Sequence, residues 1–220
     1  NLFGTNSPRL SDKKGFRGIM QLSELRGKFR YQLFWSGIDK YYNQNELGFF
    51  NQKNAQSYRA TVRYRIEKEN KILRSYSNYL MLGQRFRFHD FLRTGGGWRF
   101  GNDFVTQKLT TFEIDFDYTG STRDFYEPRT EDRYLIEPAN YGVKAGFQTN
   151  SNNTFSYGLE YEISKFKNKQ FDENKSDKRF QVDAKYRLSN KVTISASSQS
   201  ENTVDDVGYL QRKNGEIHFG

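Results

Sequence analysis

Residues Phe104–Tyr118 read FVTQKLTTFEIDFDY, and their chemical character alternates with a period of two. The apolar residues Phe112, Ile114 and Phe116 occupy even positions, whereas acidic residues occupy the odd positions beside them. Successive side chains of an extended strand point to opposite faces, so this pattern predicts one apolar and one acidic face. A helix would instead scatter the three apolar residues around its circumference. We therefore expect Phe104–Tyr118 to form one unusually long strand, preceded by a tight turn at Gly101–Asp103.

The composition favours strands over helices. The 220 residues include 15 Tyr and 20 Phe, which belong on pleated, half-exposed surfaces and at membrane interfaces. The mean hydropathy of −0.95 is low for a membrane protein, yet a membrane barrel turns half of each strand towards a polar lumen. No run of about 20 apolar residues exists, which excludes a membrane-spanning helix. The absence of cysteine excludes disulfides and cysteine-based metal sites.

The charge balance points to a polyanionic partner. The formal net charge is +9, from 35 Lys and Arg against 26 Asp and Glu. Such an excess suits nucleic acid or the phosphates of anionic lipid and lipopolysaccharide. In Tyr58–Ile66, however, Arg59, Arg63 and Arg65 alternate with aromatic and aliphatic residues, whereas a single-stranded nucleic acid needs basic and aromatic residues on one face. We therefore expect no nucleic-acid partner.

Similar alternation marks six segments: Lys28–Ser36, Tyr58–Ile66, Val143–Thr149, Thr154–Ser164, Arg179–Leu188 and Val192–Ser198. If the apolar positions of these segments and of Phe104–Tyr118 face lipid, ten charged residues are candidates for the interior of a barrel. They are Lys28, Arg30, Arg59, Arg63, Arg65, Glu113, Asp115, Asp117, Glu160 and Glu162. The basic residues come from early strands and the acidic residues from later ones. Two interpretations remain open: the charges set up a transverse field across an aqueous lumen, or they pair with each other or with a plug.

The predicted connections alternate in length. We expect long loops at Ile38–Ser57, Thr119–Asn140, Lys165–Asp177 and Glu201–Gly208, and short turns at Glu67–Lys71, Asn150–Asn153 and Ser189–Lys191. Bacterial outer-membrane barrels have short periplasmic turns and longer extracellular loops, and strands of about 9–11 residues cross the membrane. The sequence thus predicts an all-β fold, an antiparallel up-and-down transmembrane β-barrel of which about nine or ten strands are visible.

The domain organisation is simple. Asn1–Lys14 lacks periodicity and is expected to be a polar approach segment, and residues 15–220 are expected to be part of one outer-membrane β-barrel domain. An open sheet edge inside a bilayer would leave backbone groups unsatisfied. The barrel is therefore closed either by strands outside this sequence or by another chain, and we expect the former.

Two of the loops contain short motifs. Residues 39–49 read DKYYNQNELGF, in which the motif positions are Asp39, Lys40, Tyr41, Asn45, Leu47 and Gly48. Residues 125–129 read FYEPR, in which they are Glu127, Pro128 and Arg129. These segments resemble the DKYxxNDLGF and FEPR motifs of an uncharacterised Bacteroidota outer-membrane family. The sequence departs from that pattern in having Glu46 in place of Asp and one extra residue before Asn45.

The resemblance covers Lys28–Gly220. Members of that family join an N-terminal domain resembling a family-9 carbohydrate-binding module to a C-terminal barrel, so the resemblance implies that this chain is the barrel part. The family has no established activity, and no residue inherits a catalytic role from it.

Catalytic and cofactor sites are not expected. Gly95–Gly97 lacks the following Lys-Ser/Thr of a phosphate-binding loop. His89 and His218 are the only histidines, and neither belongs to a His-x-x-x-His pattern that would suit zinc. The acidic residues of Phe104–Tyr118 could act as the carboxylate pair of a glycosidase, but their alternation accounts for them as interior charges. We expect no enzyme activity, no cofactor and no metal.

Two functional hypotheses follow. The first is a non-enzymatic β-barrel of the cell outer membrane, acting as a pore or as a scaffold or subunit of an outer-membrane complex. Its partners would be outer-membrane lipid and lipopolysaccharide, together with other outer-membrane or periplasmic proteins. The alternative is a soluble β-rich binding module for a polyanion, either nucleic acid or acidic polysaccharide, which the opposite placement of basic and aromatic residues disfavours.

Overall fold

The computed structural model describes residues 14–42, 53–67, 71–125, 128, 132–168, 173–204, 209–213 and 216–219. Within these ranges the protein is all-β, with one ten-stranded antiparallel sheet and two separate two-stranded hairpins. No helix in the described part of the chain is long and apolar enough to cross a membrane.

The main sheet is an up-and-down meander. Its strands are β1 (Arg17–Glu24), β2 (Phe29–Ile38), β3 (Ala55–Ile66), β4 (Leu73–Arg87), β5 (Arg93–Thr106), β6 (Thr111–Thr119), β9 (Asn140–Gln148), β10 (Phe155–Asn168), β11 (Glu173–Arg187) and β12 (Thr193–Val204). The hairpins are formed by β7 (Thr122–Asp124) with β8 (Leu135–Glu137) and by β13 (Tyr209–Lys213) with β14 (Glu216–Phe219). Each strand of the sheet pairs with its neighbour in the chain, except that β6 pairs with β9 because the β7–β8 hairpin lies between them in the sequence. Strands β1 and β12 form the two edges.

One side of the sheet, which we call the apolar face, is lined by aromatic and aliphatic side chains. A single row of directly opposite residues illustrates it: Tyr31, Val62, Leu80, Phe100, Phe116, Val143 and Ile163. No layer covers this face among the described residues, since Val62 is 51% exposed and Phe116 38% exposed. Leu135, in the β7–β8 hairpin, is the one buried hydrophobic residue of the described part of the chain, whereas Asp115 is only 4% exposed. This burial is the reverse of what a water-soluble domain shows.

Phe104–Tyr118 is two strands, so the prediction of one long strand is wrong. Strand β5 ends at Thr106 and β6 begins at Thr111. In the turn between them the Thr106 amide donates to the Thr110 carbonyl at 2.9 Å, and the Thr110 amide donates to Thr106 Oγ1 at 3.0 Å. Leu109 adopts a positive φ of 60° there, which few non-glycine residues do. The predicted turn at Gly101–Asp103 is also wrong, since these residues lie inside β5.

The connections at the two ends of the sheet differ. Those at one end are all short: 25–28, 67–72, 107–110, 149–154 and 188–192. The other end, which we call the long-loop end, holds 39–54, 88–92, 120–139 and 169–172. The expected long connections after β2 and after β6 are therefore present. The predicted long loop at Lys165–Asp177 is wrong, because β10 continues to Asn168 and β11 begins at Glu173. The predicted loop at Glu201–Gly208 is wrong at its start, since β12 continues to Val204, and residues 205–208 lie outside the described residues.

Candidate functional site

The side of the sheet opposite the apolar face, which we call the polar face, is crossed by a continuous row of mostly charged residues. Directly opposite one another, from β2 to β12, lie Arg30, Arg63, Tyr79, Gly101, Asp115, Lys144, Glu162, Arg179 and Glu201. Opposite residues in an antiparallel sheet have Cβ atoms about 4.5–5.5 Å apart, so their charges interact directly. The row begins with two arginines and ends with acidic and basic residues in alternation.

We call the part of the polar face on β2–β5 its basic half and the part on β6 and β9–β12 its acidic half. Lys144 bridges two carboxylates in the acidic half. Its Nζ lies 3.5 Å from Glu113 Oε1 on β6 and 3.0 Å from Glu160 Oε2 on β10. The Lys144 side chain is 28% exposed, so the two ion pairs are partly withdrawn from solvent. One lysine therefore offsets the mutual repulsion of two acidic strands.

Arg179 makes a second bridge of the same kind. Its Nη1 lies 3.5 Å from Glu162 Oε2 and its Nη2 lies 3.5 Å from Glu201 Oε1. Asp115 has a different partner, because the Tyr79 hydroxyl donates to its Oδ2 at 3.0 Å. The carboxylates of the acidic half are thus largely satisfied by neighbours on the same face.

Tyr79 reaches Asp115 by crossing a glycine. Strand β5 lies between them, and its residue at that level is Gly101. A Cβ atom on Gly101 would overlap both the Tyr79 ring and the Asp115 carboxylate. The missing side chain therefore provides the space in which the hydrogen bond forms.

The basic half of the polar face is not neutralised in this way. Among the described residues no carboxylate lies within 4.0 Å of the side-chain nitrogens of Arg30, Arg59, Arg63, Arg85 and Arg99. Aromatic rings contact two of them: Arg59 Cζ lies 4.8 Å from the centre of the Phe34 ring, and Arg63 Cζ lies 5.2 Å from that of Tyr79. Stacking on a ring orients a guanidinium but leaves its charge in place.

The β7–β8 hairpin lies against the polar face at the long-loop end. Thr122 is 6% exposed, and a Cβ on Gly95 of β5 would lie 2.8 Å from Thr122 Cγ2. Arg123 Nη1 donates to the Arg93 carbonyl at 3.2 Å. Because Gly95 has no side chain, the hairpin can approach the strand closely.

Arg87, the last residue of β4, fixes the segment between β7 and β8. Its Nη2 lies 2.9 Å from Asp132 Oδ1, its Nε lies 3.4 Å from Asp90 Oδ2, and its Cζ lies 4.8 Å from the centre of the Phe125 ring. The Arg87 side chain is 21% exposed. One arginine therefore joins the sheet, the β4–β5 turn and the inserted hairpin segment.

Two cavities lie on this part of the polar face. The larger, of about 930 Å³, lies between the hairpin and strands β2–β5, and its lining includes Arg85, Arg87, Arg123 and Glu137. The smaller, of about 300 Å³, is lined by polar-face residues that include Phe34, Arg59, Gly83, Arg85 and Arg99. Arg85 and Ser57 line both cavities. The two spaces are therefore adjacent.

The first family-like motif forms a turn where β2 ends. Asp39 is 8% exposed, and its Oδ1 accepts hydrogen bonds from the amides of Tyr41 at 2.7 Å and Tyr42 at 2.8 Å. Its own amide donates to the Phe16 carbonyl at 3.0 Å, and Lys40 Nζ lies 5.1 Å from the centre of the Tyr41 ring. The described part of this motif thus has a local structural role. Outside the described residues lie Asn45, Leu47, Gly48, Glu127 and Arg129.

The charged residues singled out from the sequence share one face. Nine of the ten occupy polar-face positions in strands: Arg30, Arg59, Arg63, Arg65, Glu113, Asp115, Asp117, Glu160 and Glu162. Lys28 precedes β2, and its carbonyl accepts a hydrogen bond from the Arg65 amide at 2.8 Å. Arg65 also pairs with Glu67, Nε to Oε1 at 2.9 Å. Pro128, from the second family-like motif, is buried.

Sequence reasoning missed five residues that complete this arrangement: Tyr79, Arg85, Arg99, Lys144 and Arg179. Lys144 and Arg179 lie in segments of alternating apolar and polar residues, and this alternation could have assigned them to the polar face. Arg99 lies between Gly95–Gly97 and Gly101, where the glycines obscure the alternation.

The polar face presents fixed charges. Within the described residues, no group of three or more His, Cys, Asp or Glu is placed to hold a metal ion. What the arrangement can do is attract and orient charged solutes, because the arginines without a carboxylate partner lie on β2–β5, whereas β6 and β10 carry the acidic residues Glu113, Asp115, Glu160 and Glu162.

The fold and this face together define an all-β protein built on one large antiparallel sheet, with one apolar and one charged surface. The chain belongs to the family described as a domain of unknown function, DUF5916, whose family model matches residues 4–220. The matched span includes the ten-stranded sheet and both hairpins. No curated protein and no solved structure matches the chain.

Proposed function

We propose that this protein is a non-enzymatic β-barrel of a bacterial outer membrane, with its apolar face towards lipid and its polar face towards an aqueous lumen. The observation that carries the proposal is the inverted burial of neighbouring residues. Phe116 is 38% exposed, whereas Asp115, the residue before it, is 4% exposed. Contact of an uncovered apolar face with lipid is favourable, whereas its contact with water is unfavourable.

The strand lengths support a membrane crossing. Strands β4 and β11 have 15 residues each, and β5 and β10 have 14 each. A tilted crossing strand needs about 9–11 residues, so these strands span a bilayer and extend beyond it. All connections at one end are short and the two long ones, 39–54 and 120–139, lie at the other end, as the periplasmic turns and extracellular loops of outer-membrane barrels do.

Closure of the barrel requires partners for β1 and β12. A lipid-exposed sheet edge leaves backbone groups unsatisfied, so other strands must pair with both edges in the membrane. We favour further strands of the same protein over a second chain. By resemblance to the Bacteroidota family, the full-length protein would also carry an N-terminal domain similar to a family-9 carbohydrate-binding module.

Two roles fit such a barrel: a pore, or a scaffold within an outer-membrane complex. The unneutralised arginines and the adjacent cavities favour a pore, because a scaffold has no need for charges held open along its interior. Lipopolysaccharide and outer-membrane lipid would contact the exterior. In planar bilayers a pore gives ion conductance, whereas a scaffold gives none and co-purifies with partner proteins.

The barrel itself is tested by extraction and gel mobility. The protein should leave membranes only with detergent, and its folded form should migrate differently from its boiled form on SDS gels. Recovery of a monodisperse monomer without detergent would contradict the proposal.

One observation favours the soluble polyanion-binding alternative: Phe34 and Tyr79 stack with Arg59 and Arg63 on the polar face. That alternative leaves the uncovered apolar face without an explanation. It predicts salt-sensitive retention of single-stranded nucleic acid or acidic polysaccharide in a filter-binding assay, by protein prepared without detergent.

A further inference from the structure

We propose that Arg59, Arg85 and Arg99 form a binding site on the polar face for a small oxyanion with two or more negative charges. The ligand class comprises solutes that carry phosphate or several carboxylates. The site is defined by three strands of the sheet, so it goes beyond the proposed barrel and does not require it.

The three arginines surround a patch without side chains. Arg59 on β3 lies opposite Gly83 on β4, which in turn lies opposite Gly97 on β5. Arg85 is two residues from Gly83 and Arg99 is two residues from Gly97, so both project on the same face as Arg59. The spacing of strands and residues keeps the three Cα atoms within roughly 14 Å of one another. All three side chains line the same cavity of about 300 Å³.

Gly83 forms an open floor for this cavity. A Cβ atom placed on it would meet nothing within 4 Å. The strand is regular there, so no special backbone conformation requires a glycine. The absence of a side chain leaves room for a ligand between the guanidinium groups.

The charge of the cavity is unbalanced. Asp117 is the carboxylate that lines it together with the three arginines. Asp117 lies opposite Arg99, but its carboxylate occupies the space above Gly142 on β9, where a Cβ atom would overlap it. Consequently no ion pair forms between Asp117 and Arg99, and three guanidinium groups remain available. A guanidinium binds two oxygens of one phosphate or carboxylate group in parallel hydrogen bonds, which fits an oxyanion better than chloride.

The site is accessible from the long-loop end. The cavity of about 930 Å³ beneath the β7–β8 hairpin shares Arg85 and Ser57 with it, and its lining adds Arg87, Arg123 and Lys40. Its lining holds five basic side chains and the three carboxylates of Asp124, Asp132 and Glu137, so a solute entering there crosses a region of net positive charge before it reaches Arg59 and Arg99. This net charge concentrates anions at the site.

The test is isothermal titration calorimetry of the full-length protein in detergent, with inorganic pyrophosphate as the probe. Citrate tests the carboxylate arm of the ligand class and glucose serves as the uncharged comparison. We expect pyrophosphate and citrate to bind, with an affinity that falls as NaCl is raised, and glucose not to bind. Arg59→Ala and Arg99→Ala should each weaken pyrophosphate binding by roughly tenfold to a hundredfold.

A second variant leaves every arginine intact. Gly83→Val should fill the floor of the cavity and abolish binding, while a β-branched residue suits the strand. Two matched controls come from the same face. Arg179→Ala removes an ion-paired arginine, and Gly158→Val fills a different glycine whose added Cβ would meet only atoms at 3.6 Å or more. Neither control should change pyrophosphate affinity by more than about twofold.

The proposal is overturned if pyrophosphate does not bind, or if Arg59→Ala, Arg99→Ala and Gly83→Val bind it as the unaltered protein does. An equal loss of pyrophosphate affinity in Arg179→Ala would overturn it too, since the loss would then reflect the total charge of the polar face. The barrel proposal is tested separately, because extraction of the protein without detergent would contradict it. A soluble protein that binds pyrophosphate through these residues would retain the site and lose the membrane proposal.

Discussion

The hydroxyl of Tyr79 on β4 donates a hydrogen bond to Asp115 Oδ2 on β6 at 3.0 Å, across the intervening strand β5. The guanidinium of Arg63 lies over the same tyrosine ring, 5.2 Å from its centre. Tyr79 therefore stands between the basic and the acidic half of the polar face. Its hydroxyl is an uncharged donor, so it holds Asp115 in place and leaves the charge of the carboxylate intact.

Removing this hydroxyl should destabilise the protein. Asp115 is 4% exposed, and its Oδ1 has no hydrogen-bond partner among the described residues, so Tyr79→Phe leaves a buried carboxylate without a donor. We expect the free energy of unfolding to fall by about 1–3 kcal/mol. Urea titration of the protein folded into lipid vesicles, followed by tryptophan fluorescence, measures it.

The matched control is Tyr76→Phe on the same strand. The Tyr76 hydroxyl donates to Asn102 Oδ1 at 2.9 Å, an uncharged acceptor that is only half-buried. This change should cost about 1 kcal/mol or less. Equal losses in the two variants would show that the charge of Asp115 is unimportant.

Two glycines of the polar face should respond in opposite ways to the same substitution. Gly101→Ala puts a Cβ atom where the Tyr79 ring and the Asp115 carboxylate lie, which should cost about 1–3 kcal/mol of stability. Gly83→Ala meets nothing within 4 Å and should be neutral or stabilise the strand by up to about 1 kcal/mol. The same urea titration compares them. A destabilising Gly83→Ala would mean that the open floor of the cavity is not as the structure has it.

Alternation in the sequence was enough to assign residues to faces. In β3, Arg59, Arg63 and Arg65 occupy the polar face and Val62 the apolar face, because a strand permits only two directions. The same rule failed at Thr106–Thr110, which read TQKLT, because Leu109 is the one apolar residue there and the pattern carries no signal of a turn. That turn contains no Gly, Pro or Asn, and the Thr106 side chain and the positive φ of Leu109 form it instead.

The partners of the charges were not predictable from one strand at a time. Lys144 neutralises Glu113 and Glu160 because β9 inserts between β6 and β10, a register that depends on pairing across the sheet. Gly101 resembled a turn residue because Asn and Asp follow it. A glycine is needed at this position because the ring of Tyr79 occupies the space of a side chain. Tyr79 is far from Gly101 in the sequence but lies opposite it in the sheet.

A lysine on the apolar face should distinguish lipid from water outside the sheet. Val62 is 51% exposed and lies within β3, so Val62→Lys would place an ammonium group in the hydrocarbon of the proposed membrane. We expect a loss of about 2–4 kcal/mol in vesicles, the cost of a lysine near the bilayer midplane. The neighbouring Thr61→Lys, on the polar face, should cost less than about 1 kcal/mol. If the two variants unfold at the same urea concentration, the apolar face does not contact lipid.

The β7–β8 hairpin should restrict the mouth of the proposed pore, and Arg87 should hold it there. Arg87→Ala removes the contacts with Asp132 and Phe125, so the segment between the two hairpin strands should move away from the polar face. We expect higher single-channel conductance in planar bilayers and faster cleavage of this segment in limited proteolysis, because the cavity beneath the hairpin widens and the backbone becomes accessible. Arg65→Ala is the control for proteolysis, since it removes an arginine paired with Glu67 at the opposite end of the sheet and should not change cleavage of the segment. Faster cleavage without a change in conductance would place the hairpin outside the conducting path, and unchanged cleavage would show that Arg87 does not hold it.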